Sequence, residues 1–130
     1  MNAWNSNYKS HQGNIGLGQA IAYYTKQISP IMIPLNDTQK YDLVIDQNGL
    51  KRVSIKTTQF LSKSGYFVVQ LKNSGGASGN SKIRYFDKDS CDILFIYTIQ
   101  GDIYEIPASE INSKSQLTLT PDLYNKYKKG

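Results

Sequence analysis

Residues 41–58 read YDLVIDQNGLKRVSIKTT, and the fold turns on how this stretch is paired. Two short β-branched, apolar runs, Leu43-Val44-Ile45 and Val53-Ser54-Ile55, flank Gln47-Asn48-Gly49. That pattern predicts a β-hairpin. Charged residues interrupt it: Asp42 on one arm and Lys56 on the other. Charges are rare on a half-buried sheet unless they are solvated, paired or used. Alternate residues of a strand share a face, so Arg52, Ser54 and Lys56 belong to one face and Val53 and Ile55 to the other. A two-residue Asn48-Gly49 turn sets Asp42 opposite Ile55. A three-residue loop with Gly49 left-handed sets Asp42 opposite Ser54, and Asp42 and Lys56 become diagonal neighbours on one face. We expect the second register, because it has a glycine where the loop needs one.

Working outward, GNIGLGQAIAYYTKQ (13–27) carries apolar residues at 17, 20, 21 and 24, a helical spacing with Asn14 as candidate N-cap. Gly16 and Gly18 are poor helix formers that would allow close packing on a sheet. Residues 1–12 are polar and are expected to form an arm. A β-prone run spans 28–34. After the hairpin come candidate strands at 66–71, 92–97, 103–107 and 117–119, with a helical turn near 109–111. NSGGASGNS (73–81) is a Gly/Ser loop. Residues 121–130 are expected to be a tail. One helix ahead of a mixed sheet of four to five strands indicates a single α+β (small α/β) domain over 1–130.

The bulk numbers bound the chemistry. A chain of 130 residues with 39% hydrophobic and 12% aromatic residues can build one core. One cysteine, Cys91, and one histidine, His11, exclude internal disulfides, cysteine-rich zinc sites and multi-histidine metal sites. Cys91 reads as a small buried residue, Tyr23, Tyr24 and Phe95 as core, and His11 as surface. Any metal would have oxygen ligands. The net charge of +5 suits a phosphate backbone as partner. No apolar run is long enough to span a membrane and no signal-peptide pattern opens the chain, so an intracellular, cytoplasmic protein is expected.

An aspartate followed by a strand bearing (acid)-x-Lys on the same face is the pattern of the PD-(D/E)xK nucleases. GNIGLGQAIAYYTKQ, IPLNDTQKYDLVID, LKRVSIKTT and DILFIYTIQGDIYEIPASEI, in that order, resemble the PD-(D/E)xK domain of group I intron-associated homing endonucleases. The resemblance covers roughly residues 13–111. It implies a restriction-endonuclease-like fold and a Mg²⁺-dependent (or Mn²⁺-dependent) double-strand DNA endonuclease acting as a homodimer or homotetramer. It implies Asp42 as metal ligand and Lys56 as the residue that positions water, with Ser54 assisting.

Two departures stand out. The family usually has Glu or Gln two residues before the lysine, where this chain has Ser54. Many relatives have Glu on the first helix near the position of Leu17. A hydroxyl is a poorer Mg²⁺ ligand than a carboxylate. The site then leans on Asp42, the Ile55 main-chain carbonyl and waters, with Asp37 or Gln19 as candidate replacements for the acid. Lys51, Arg52, Lys72, Lys82 and Arg84 are the candidate DNA contacts, the last three flanking the Gly/Ser loop. The alternative functions are a DNA-binding module with weakened catalysis and a junction-resolving or repair nuclease on the same fold. The exposed apolar part of the 92–106 hairpin and the tail are candidate oligomer surfaces.

Overall fold

The computed structural model describes residues 4–36, 38–75 and 82–129. Helix α1 (Trp4–Lys26) is followed by strands β1 (Ile31–Met32), β2 (Leu43–Asp46), β3 (Leu50–Thr58), β4 (Phe60–Leu61), β5 (Phe67–Gln70), β6 (Asn73–Gly75), β7 (Lys82–Arg84), β8 (Ile93–Thr98), β9 (Ile103–Pro107) and β10 (Gln116–Thr118). Helix α2 (Pro121–Tyr124) and strand β11 (Lys128–Lys129) close the chain. Single 3₁₀ turns cover Ala108–Glu110 and Asn125–Tyr127. Among the described residues no helix is long and apolar enough to cross a membrane.

The main sheet has six strands in the order β1-β2-β3-β8-β9-β11. It is mixed, because β3 and β8 run parallel while the other pairs are antiparallel. The expected α+β class holds. The sheet exceeds the expected four to five strands because the two-residue β1 and β11 add to its edges. The 66–71 run does form a strand, but outside this sheet: β5 pairs with β4 and β10 in a three-stranded sheet.

The two faces of the main sheet are covered differently. On one face Ala20 and Tyr24 of α1 pack with Leu43, Ile45, Val53 and Phe95, with Leu17 and Ile21 at the margin. These are the helical positions the spacing marks. On the other face Phe67, Val69 and Leu117 of the small sheet pack with Leu94, Ile96, Tyr104 and Ile106. Strand β8 lies between both layers, which is why it reads as a nearly continuous apolar run. Most of the β8–β9 hairpin is therefore core; Ile99 at its turn is exposed.

Helix α1 starts at Trp4, well ahead of residue 13, so residues 4–12 are helix rather than an arm and Asn14 is interior rather than a cap. The Gln12 side chain donates to the Thr57 carbonyl on β3 (3.3 Å), one tertiary contact that favours helix over local propensity here. A Cβ on Gly16 would collide with the Thr57 hydroxyl and lie 3.2 Å from Ile55 Cγ2, so this glycine sets how closely α1 approaches β3; Gly18 faces open space. The helix ends in a Schellman pattern: Ser29 N–H donates to the Tyr24 carbonyl (3.1 Å) and Ile28 N–H to Thr25 (3.0 Å). The left-handed residue of that motif is Ile28 (φ 58°), where glycine is usual. The tail is docked rather than loose. Lys128 pairs with Tyr104 in β9, the Tyr127 hydroxyl donates to Glu110 (2.8 Å), and Lys128 Nζ sits 3.6 Å from Asp102.

Candidate active site

The hairpin takes the three-residue loop. Leu43 pairs with Val53, Val44 with Arg52 and Asp46 with Leu50, leaving Gln47-Asn48-Gly49 to turn the chain. Gly49 has φ 125° and Asn48 φ 56°. Both residues thus use the conformations that Gly and Asn tolerate best. Gly49 N–H donates to Asp46 Oδ1 (3.2 Å), which pins the turn. This register continues one step to Asp42 opposite Ser54.

Strand β2 begins at Leu43, so β3 runs past it from Ser54 to Thr58 and leaves a fork. Asp42 sits at the fork. Its main-chain N–H donates to the Val53 carbonyl (2.8 Å), and its carboxylate accepts from the Ile55 N–H (2.6 Å). The even residues of β3 turn their main chain to β8, as Asp92 N–H to the Arg52 carbonyl (2.8 Å) and Ile99 N–H to the Thr58 carbonyl (2.9 Å) record. The odd residues face the fork. A residue's N–H and C=O in a strand point the same way, so the Ile55 carbonyl opens toward Asp42.

Ser54 is buried and Lys56 half-buried on the face away from α1. Desolvation raises the Asp42 carboxyl above its usual range, against the pull of the Ile55 hydrogen bond and the Lys56 charge. Desolvation lowers Lys56, against the attraction of Asp42. Asp42 is open to solvent at its rim. Each group weakens the other's shift, which marks them as electrostatic neighbours. They lie beyond ion-pair distance; the ion pairs among the described residues are elsewhere.

Ser54 and Lys56 form the floor of a pocket of about 490 Å³, walled by Lys40, Arg84, Tyr85, Phe86 and Asp87. Asp42 opens instead onto a shallower neighbour with Tyr41 and Asn36, and Gln39 borders both.

The remaining expected residues scatter. Arg52 is held by Asp92, through Nε to Oδ2 (3.2 Å), a terminal guanidinium nitrogen to Oδ1 (3.4 Å), and its main-chain N–H to Oδ2 (2.7 Å). That pairing holds the Asp92 carboxyl below its usual range. Lys51 is exposed on the opposite face of β3 from Arg52, and Lys72 is exposed beyond β5. Arg84 joins Lys56 at the pocket. Asp37, residues 76–81 of the Gly/Ser loop and the Lys82 side chain lie outside the described residues. Gln19 is exposed on α1, which covers the sheet face away from Ser54 and Lys56, and Leu17 is packed in the α1 core. Among the described residues no three of His, Cys, Asp and Glu gather as a metal site. Cys91 is buried, with its thiol pushed up by desolvation.

Sequence reasoning missed Lys40, Tyr85 and Asp87 at the pocket. The acid-rich FDKDSCD run (86–92) was the available signal, since Asp-rich loops ahead of a core strand fold back on their own main chain.

Comparison with known proteins bears on family and fold. A family model described as PD-(D/E)XK endonuclease matches residues 7–128. Among solved structures, that of a bacterial homing endonuclease, I-Ssp6803I, superposes with a TM-score of 0.74 at 25% identity, covering 85% of this chain and 77% of that one. No curated protein sequence matches the chain significantly.

Proposed function

This chain belongs to the PD-(D/E)XK endonuclease family, and from that premise we propose that it is a Mg²⁺-dependent double-strand DNA endonuclease of the homing type, working as a homodimer or homotetramer on a long target. The observation that carries the reading is the fork itself: Asp42 in register with Ser54, with Lys56 one step along the same face.

The donors fit a hard divalent cation. The Asp42 carboxylate, the Ile55 carbonyl and the Ser54 hydroxyl are all oxygens, and Mg²⁺ is commonly held by one or two carboxylates, waters and substrate phosphate. When bound, the ion supplies charge neutralisation to the phosphoryl oxygens. The protein's own groups do the rest. Asp42 holds its carboxylate in place through the Ile55 N–H. Lys56 hydrogen-bonds the attacking water and steadies the charge that develops as the new P–O bond forms. Its lowered pKa makes a neutral amine, able to take a proton from that water, more accessible near neutrality. Two strands of a duplex need two such sites, which a two-fold oligomer provides.

Ser54 in place of a carboxylate, with no three-acid cluster among the described residues, favours one second reading: a duplex-binding module that cleaves weakly or not at all. Plasmid nicking in Mg²⁺ and Mn²⁺ separates the two. We expect nicking that falls at least about 100-fold in Asp42→Ala and Lys56→Ala, as loss of a general-base group does. Cleavage retained in both variants refutes the site. Tight duplex binding without nicking by the unaltered protein supports the second reading, and preference for four-way junctions over linear duplex a junction-resolving one.

A further inference from the structure

Resting on the nuclease reading above, we propose that the pocket beside Lys56 is a strand-positioning subsite for a backbone phosphate adjacent to the scissile one. Lys40 and Arg84 are its contacts, and Asp87 is an internal counter-ion that the phosphate displaces. Lys40, Lys56 and Arg84 line one cavity of about 490 Å³, and Asp87 is the acid among its lining residues. Lys40 lies two residues before Asp42, so a phosphate held by Lys40 is registered against the fork by a short piece of chain.

Lys40 Nζ sits 4.0 Å from Asp87 Oδ2, with the side chains 66% and 52% exposed. A pair so long and so solvated holds weakly, and a duplex phosphate competes with it readily. The two partners differ in freedom. Asp87 Oδ1 accepts from the Asp89 N–H (2.9 Å), and the Asp87 carbonyl accepts from the Ser90 N–H (3.0 Å) and hydroxyl (2.6 Å), so the acid is anchored. Lys40 is the mobile member, on a long stem at an exposed loop. In the free protein Asp87 keeps the lysine over the pocket. On duplex binding the lysine turns to the phosphate.

The test measures anisotropy of a fluorescein-labelled mixed-sequence duplex across a KCl titration, with Ca²⁺ in place of Mg²⁺. Lys40→Ala and Arg84→Ala are each expected to weaken binding and to lower the magnitude of the log K against log salt slope by about 1. Asp87→Asn is expected to tighten binding, more than the remote control Asp122→Asn, and to lose that gain in the Lys40→Ala background. Unchanged slopes in both cation variants overturn the subsite. So does a gain from Asp87→Asn that persists without Lys40 or is matched by the control. Loss of calorimetric Mn²⁺ binding in Asp87→Asn overturns it too, making Asp87 a metal ligand instead. Absence of duplex binding by the unaltered protein overturns both this subsite and the nuclease reading. Binding without nicking overturns the nuclease alone, and the slopes then decide the subsite.

Discussion

Replacing Gly16 by alanine puts two effects of opposite sign against each other. Within an exposed helix the change stabilises, by about 1 kcal/mol, because glycine has more backbone entropy to lose. Here the new methyl meets the Thr57 hydroxyl and comes within 3.2 Å of Ile55 Cγ2, on the strand that carries Ser54 and Lys56. Overpacking of this kind costs about 1–3 kcal/mol. The Thr57 side chain is β-branched and stiff, so it yields poorly. The expected net is a loss of about 1 kcal/mol, read by urea unfolding followed by circular dichroism. Removing the worse obstacle shrinks the loss. In a Thr57→Ala background the collision with the hydroxyl is gone and the 3.2 Å approach to Ile55 Cγ2 remains, so Gly16→Ala should cost less there than in the unaltered background. Thr57 Oγ1 is buried without a hydrogen-bond partner among the described residues, so no bond is broken in making that background. Equal or greater stability of the single variant in the unaltered background refutes the close-approach argument.

Other consequences can be measured independently. Asp42→Asn is expected to raise stability at neutral pH while abolishing nicking. The folded Asp42 pKa lies above the unfolded one, so the ionised carboxylate costs stability once pH exceeds the unfolded value; the gap between variant and parent should close below about pH 4. Asp92 has the opposite sign. Its folded pKa is depressed by Arg52, so its contribution is present above about pH 4 and is lost as pH falls through the folded value. Asp92→Ala should cost about 1 kcal/mol at pH 7 and progressively less in acid. Ile28→Gly should stabilise by about 1 kcal/mol in urea unfolding, because Ile28 is 90% exposed and left-handed and gives up almost no packing. Ser54→Glu, which restores a carboxylate beside Asp42, should lower the Mg²⁺ concentration for half-maximal nicking by about tenfold, equivalent to about 1.4 kcal/mol; an unchanged requirement would mean that position 54 does not reach the ion.

What could be read from sequence follows the range of the interactions involved. The hairpin register is local: a glycine at the third loop position, an asparagine able to go left-handed, and strict two-residue alternation set Asp42 across from Ser54 at the fork, with Lys56 on the same strand face as Ser54. The helix core at 17, 20, 21 and 24 is local too. The beginning of α1 was not legible, because a polar run broken by Gly13, Gly16 and Gly18 is helical against its own propensity. The departure of β5 into a second sheet depends on its pairing with β10, nearly fifty residues on, which no window of sequence contains. The same holds for Arg52. Its partner Asp92 lies 40 residues away, so a guanidinium that looked available for DNA is already engaged. Lys40 and Asp87 meet across a comparable gap.

The parallel pairing of β3 with β8 has a consequence in time. The fork is assembled within a hairpin whose two arms adjoin in the chain, and such hairpins form in about 1–10 μs. The strand that braces β3 on its other side emerges from synthesis only some 40 residues later, at the spacing of Val53 and Ile93. Parallel pairing over such a loop is a slow closure. The nascent hairpin thus waits with one main-chain edge unpaired, and this interval is when a growing chain is most open to mispairing with a neighbour. Pulse-labelled hydrogen exchange during refolding should find amides of the β2–β3 ladder protected before those joining β3 to β8. Simultaneous protection would place both in one cooperative step.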